Sequence, residues 1–193
     1  MITGGSKAMK YMIASDIHGS AYFCRKMLEA YEREGADRLV ILGDILYHGP
    51  RNDLPKEYAP KEVISMLNDR KGELLCVRGN CDTEVDQMVL EFPILAEYCF
   101  LDLDGQIIYA THGHKENPNN PPMLKSGDIL LNGHTHIPKC ELFTTKEGKK
   151  CIYMNPGSVS IPKEGSAHSY MVIEHGRFEW KNLEGEVYDS YEI

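Results

Sequence analysis

Five short runs bring acids, an amide and imidazoles together in a pattern that could clasp two neighbouring metal ions: Asp16-Ile17-His18, Gly43-Asp44, Gly79-Asn80-Cys81-Asp82, Thr111-His112-Gly113-His114 and Gly133-His134-Thr135-His136. Two divalent ions about 3.5–4 Å apart can hold a hydroxide between them, orient a phosphoryl group and stabilise both oxygens of an in-line displacement. Such a centre needs a shared carboxylate. Asp44 suits that task, because Gly43 lets the backbone approach closely and a carboxylate has two oxygens to share. Asp16 and His18, alternate residues leaving one strand, can chelate one ion, while Asn80 offers a neutral amide oxygen to the other. His112, His134 and His136 supply the remaining imidazoles. Two aspartates and one hydroxide leave about one net positive charge on a pair of divalent ions, so an anionic phosphate would be drawn to the metals directly. Arg51, in the loop after Asp44, either contacts a second substrate oxygen or stands solvated.

Each run follows an apolar stretch that reads as a strand, so one sheet edge could collect them all. Residues 10–15 are short, mostly apolar and end at Asp16, as expected of a buried strand. A helix follows, with Ser20 as its cap, Phe23, Met27, Leu28 and Tyr31 at helical spacing, and Gly35 as its stop. Residues 39–42 give a second strand. A Gly- and Pro-rich loop leads to Pro60 in the first turn of a helix carrying Val63, Ile64 and Leu67, and residues 73–77 give a third strand. This β-α-β-α-β order calls for parallel strands with right-handed crossovers and for ligands beyond their carboxyl ends. In the second half, residues 99–103 and 106–111 flank the hairpin turn Asp104-Gly105. Further strands at 128–132, 140–144, 151–154, 170–174 and 178–183 suggest antiparallel pairing. The fold class is α/β, a mixed sandwich with helices outside.

Composition narrows the partners. A chain of 193 residues with 42% hydrophobic content fits one domain, here residues 9–193, preceded by a small polar tail at 1–8. A net charge of −8 argues against a general nucleic-acid surface, which would need clustered Lys and Arg. No apolar run reaches a membrane span and no signal-peptide pattern opens the chain. Six dispersed cysteines without a CxxC pair suit a reducing, cytoplasmic setting.

In this order, D-x-H, G-D, G-N-x-D, a later histidine before glycine and G-H-x-H resemble the calcineurin-like metallophosphoesterases. Residues 15–20, 40–44, 48–52, 77–82 and 155–163 are similar to runs of the bacterial phosphodiesterases within that group, and the likeness covers essentially everything from Met9 onward. It implies a four-layer α-β-β-α sandwich of two mixed sheets flanked by helices. It also implies that Asp16, His18, Asp44 and His136 hold one ion and Asp44, Asn80, His112 and His134 the other, in a phosphodiesterase often run on manganese. The mixed donors by themselves suit manganese, iron or zinc alike.

One departure stands out: Cys81 occupies the slot where G-N-H-D or G-N-H-E is usual, and that histidine helps protonate the leaving group. A thiol is a weaker donor, so Cys81, with His114 or a metal-bound water assisting, would favour good leaving groups; alternatively it packs beside the site. A phosphomonoesterase on the same metals and a non-enzymatic, Vps29-like protein-binding scaffold are the competing readings. The intact donor set favours an enzyme. The loop at 115–126, too short for a cap domain, favours a small diester. His48, just past the ligand loop, either stands exposed, the favoured reading, or contacts substrate, and no spacing brings His168 or His175 to the metals. Asn155-Pro156-Gly157-Ser158 and Asp82 either brace the ligands or merely turn the chain. Phe92 and Ile94 either pack the core or serve contacts in a homo-oligomer.

Overall fold

The first apolar run must bury both of its faces, and it does: in a computed structural model describing residues 9–103 and 105–193, β1 (Tyr11–Ala14) is buried at every position. The tail at 1–8 and Asp104 of the hairpin turn lie outside the described residues. Ser20 accepts the Phe23 N–H to open α1 (Ala21–Glu34), and Gly35 closes it with φ 59°, the left-handed conformation that glycine adopts without a Cβ penalty. β2 (Arg38–Ile41) runs parallel to β1. Pro60 stands in the first turn of α2 (Pro60–Asn68), which buries Val63 and Leu67, and β3 (Leu74–Cys76) pairs parallel to β2. A single turn, α3 (Glu84–Gln87), follows, opened by a capping box between Thr83 and Asp86.

In the second half β4 (Tyr98–Leu103) and β5 (Gln106–Thr111) form the expected hairpin. β6 (Ile129–Leu131) comes next, then a second hairpin of β7 (Lys139–Thr144) and β8 (Lys150–Asn155). β9 (Ser169–Glu174), β10 (Arg177–Asn182) and β11 (Val187–Glu192) return to the first half. The result is a six-stranded sheet ordered β11-β10-β9-β1-β2-β3 and a five-stranded sheet ordered β4-β5-β6-β8-β7.

Two features differ from the reading of the sequence. β5, β6 and β8 run parallel, because long connections return the chain to the same end of the sheet, as parallel neighbours require. The cover of the five-stranded sheet is also unlike that of its partner. α1 lies against α2 and β1 on the outer side of the six-stranded sheet. On the five-stranded sheet the irregular segment 112–128 lies outside instead, packing Leu124 with Tyr109, Leu130 and Tyr153. The α/β class with two mixed sheets and few helices stands.

Between the sheets, Ile13, Val40, Met171 and Trp180 meet Ile108, Leu131 and Met154, and each such fully buried large side chain contributes about 1.5–3 kcal/mol. Trp180 also donates its indole N–H to the Asn155 carbonyl at 2.7 Å, tying β10 to the end of β8. Phe92 and Ile94 are core residues. Among the described residues no helix is long and apolar enough to cross a membrane.

The consequence for chemistry is positional. β1, β2 and β3 in one sheet and β5, β6 and β8 in the other are two parallel triplets. The segments leaving them carry Asp16 and His18, Asp44, Asn80, His112, His134 and His136, and Asn155 to Ser160.

Candidate metal centre

The chain turns sharply as it leaves these strands. Asp16 (φ 59°), His18 (φ 49°), Asp44 (φ 56°), His134 (φ 64°) and His136 (φ 62°) account for five of the eight described non-glycine residues with positive φ. Each costs of order 1–2 kcal/mol relative to ordinary backbone, and such strain gathers where a fold must aim particular side chains. Glycine permits the close approach at two points. A Cβ at Gly79 would strike the Asp44 carboxylate, and one at Gly133 would strike the Ser15 hydroxyl.

The seven predicted donors meet. His136 Nε2 lies 3.2 Å from Asp16 Oδ1 and 3.3 Å from His18 Nε2, and His18 Nε2 lies 3.6 Å from both Asp16 Oδ1 and Asp44 Oδ2. On the other side His112 Nε2 is 3.5 Å from Asp44 Oδ2, 3.1 Å from Asn80 Oδ1 and 3.2 Å from His134 Nδ1. Asp44 Oδ2 therefore stands between two groups of donors.

Outer contacts set the tautomers. The Nδ1–H groups of His18, His112 and His136 donate to the carbonyls of Tyr47, Leu42 and Ile161 at 2.7, 2.6 and 2.8 Å. When these rings are neutral, each must turn a bare Nε2 lone pair inward. His18 and His136 then face each other lone pair to lone pair, and His112 faces the Asn80 carbonyl oxygen. Only a cation or an added proton relieves such an arrangement. Asp16 Oδ1 is likewise buried without a hydrogen-bond donor, while Asp16 Oδ2 accepts the His134 N–H at 3.0 Å. The donors fit metal ions.

The bracing residues have definite partners. Asp82 accepts the N–H groups of Asp44, Ile45 and Gly79 at 2.8, 2.9 and 2.7 Å, locking two ligand loops together. Cys81 N–H holds Asp44 Oδ1 at 2.8 Å. Asn155 donates to the Gly133 carbonyl at 2.7 Å, and the hydroxyls of Ser158 and Ser160 donate to the Asp16 carbonyl at 2.9 and 3.0 Å.

The charges follow from this packing. Burial pushes the Asp16 carboxyl up, but its contacts with His136 and His18 and the field of His112 outweigh that and hold it well below the usual carboxylate range. Burial opposes a charge on His112 too, yet Asp44 and Asp16 lift it to about 9. Burial and the neighbouring His112 push His134 down to about 4. Without metal, His112 therefore carries a proton at neutral pH, and a metal ligand must be neutral. Adding manganese to weakly buffered, chelator-stripped protein at about pH 8 should release protons, and metal affinity should rise with pH up to about 9. A pH indicator during the titration checks this; uptake without acidification would contradict it.

A cleft of about 340 Å³ opens over the donors, lined by His18, Asp44, Asn80, His134 and His136 together with Arg51, Asn52, Cys81 and Lys163. Arg51 thus lies at the site. The Cys81 thiol comes within 4.8 Å of ligand atoms of His18 and Asp44. Burial and the nearby Asp44 push it up to about 12, so it keeps its proton. His114 stands outside the donor set, its ring centroid 5.4 Å from that of His112, in an adjoining cavity. His48 is half-buried, with the rings of Tyr47 and Tyr58 set edge-on to it. His168 stacks on Phe23, apart from the seven donors. Lys163 and Ser160 were missed as site residues. No spacing signals Lys163, whose place depends on its N–H bond to the His136 carbonyl at 3.2 Å.

A profile of the calcineurin-like phosphoesterase superfamily domain matches residues 9–177. The phosphodiesterase YfcE of Escherichia coli K12 is 48% identical over 167 residues, which span 86% of this chain and 88% of that protein. The solved structure of E. coli YfcE, described as a phosphoesterase, matches with a TM-score of 0.88 at 45% identity, covering 96% of this chain and 100% of that one. Vps29 of Entamoeba histolytica in complex with zinc matches with a TM-score of 0.57 at 17% identity, covering 95% and 99% of the two chains, a likeness of fold alone.

Proposed function

This chain belongs to the calcineurin-like phosphoesterase superfamily, and we propose that it is a phosphodiesterase working on two divalent ions, with manganese the first choice and iron or zinc compatible with the same donors. The observation that carries this reading is the position of Asp44 Oδ2, 3.6 Å from His18 Nε2 and 3.5 Å from His112 Nε2. Asp16, His18, Asp44 and His136 would hold one ion, and Asp44, Asn80, His112 and His134 the other. Bound there, such ions supply Lewis-acid polarisation of the phosphoryl group and an acidified water.

The chain's own residues do the rest. Arg51 and Lys163 border the same cleft and offer positive charge to phosphoryl oxygens not held at the centre. The protonated Cys81 thiol stands beside Asp44 and can give a weak hydrogen bond to the departing oxygen. That weakness suits esters of acidic alcohols such as phenols. The partner is a small phosphodiester, and the free state of all six cysteines supports a cytoplasmic setting.

Chelator-stripped protein should leave bis(p-nitrophenyl) phosphate intact and hydrolyse it once manganese is restored, with release of p-nitrophenol as the readout. Absence of turnover with every divalent metal tried would assign the chain to a scaffold role like that of Vps29. Turnover of p-nitrophenyl phosphate alone would make it a monoesterase.

A further inference from the structure

Beside the metal cleft lies a larger cavity of about 650 Å³, ample for a nucleoside-sized group. His134 lines both spaces, so a phosphoryl group at the centre has one ester arm within reach of the cavity. The two sides differ in charge. Arg51 and Lys163 border the metal cleft. The cavity is bordered by one cation, Lys139, and two carboxylates: Glu141, paired with Lys139 at 2.9 Å, and the exposed Glu164, whose field also reaches Lys139 but which forms no ion pair among the described residues. Its walls offer hydrogen-bond acceptors. Asn132 is 1% exposed and its Oδ1 has no donor, and the Tyr153 phenolic oxygen, which already accepts the Asn155 amide N–H at 3.2 Å, keeps a second lone pair.

Building on the phosphodiesterase reading, we infer that this cavity is the subsite for one ester arm and that it selects an uncharged arm rich in hydroxyl or amide donors, as a nucleoside is. With two carboxylates to one ammonium, the cavity repels an arm bearing a further phosphate, and Glu164 carries the excess charge. The preferred substrate is then a small diester with a neutral, polar arm, and the end of a polynucleotide chain is disfavoured.

Three p-nitrophenyl diesters sharing one leaving group test this: the methyl ester, the thymidine 5′-ester, and the thymidine 5′-ester bearing a 3′-phosphate. The manganese enzyme should prefer the thymidine ester over the methyl ester by about tenfold in kcat/KM, and the 3′-phosphate should remove about threefold of that gain. Glu164→Lys should restore the loss. As a readout independent of turnover, thymidine added to the metal-free protein should shift NMR resonances of Thr135 and Tyr153. Equal rates for the methyl and thymidine esters, or a charge penalty untouched by Glu164→Lys, would overturn the subsite while leaving the phosphodiesterase reading in place. Failure to cleave any of the three would overturn that reading and the subsite with it.

Discussion

Asp44→Asn should lower kcat/KM for bis(p-nitrophenyl) phosphate by about a thousandfold or more, roughly 4 kcal/mol of transition-state stabilisation, while the protein stays folded. The reason lies in what each Asp44 oxygen does. Oδ1 accepts the Cys81 N–H at 2.8 Å, a task that an amide oxygen performs equally well. Oδ2 faces His18 and His112 at 3.6 and 3.5 Å, where the proposed pair of ions would need the charge and second oxygen of a carboxylate. The substitution would thus remove the proposed bridge and keep the brace. Thermal unfolding of the metal-free variant should fall within about 4 °C of the parent, and manganese should stabilise it less. A variant that loses fold and activity together would make Asp44 structural.

Asp82→Ala should show the opposite balance. Asp82 is buried and touches no donor atom of the centre, but it accepts three backbone N–H groups, from Asp44, Ile45 and Gly79. Each buried N–H left unpaired costs about 1–3 kcal/mol, so a loss on the order of 3–5 kcal/mol of stability is expected. The loops bearing Asp44 and Asn80 would also lose their common anchor, weakening metal affinity by about 10–100-fold, the usual effect of removing a bracing partner. Denaturant unfolding with and without manganese, together with a metal titration, measures both effects. Unchanged affinity in a folded Asp82→Ala protein would show that the loops hold their shape unaided.

The first half of the fold was legible because its signals are local. Ser20 and Gly35 bound α1, Pro60 opens α2, and short apolar runs mark β1 to β3. β11 escaped notice because it is an edge strand with five of its six residues exposed, leaving no apolar alternation to detect. α3 is one turn long, although Thr83-x-x-Asp86 is a capping signature that could have revealed it. The parallel pairing of β5, β6 and β8 depends on where distant connections lead the chain, and no short window contains that information.

The site divides the same way. Donors could be named from residue type and order, since acids and imidazoles after successive strands have few other uses in combination. What the sequence could not show is made by backbone: the carbonyls of Leu42, Tyr47 and Ile161 that set the imidazole tautomers, and the left-handed turns that aim five of the donors. The roles of Asp82 and of Ser158 became decidable only once their partners were known, since the same residues also suit ordinary turns. His48 is half-buried because Tyr58, ten residues further along the same connection between β2 and α2, sets its ring edge-on to it.

Crystals of the protein soaked in manganese and recorded near the manganese absorption edge test the central claim most directly. The account predicts two anomalous peaks about 3.5–4 Å apart, with Asp44 between them, Asp16, His18 and His136 around one, and Asn80, His112 and His134 around the other. A single peak, or two peaks without Asp44 in common, would contradict it.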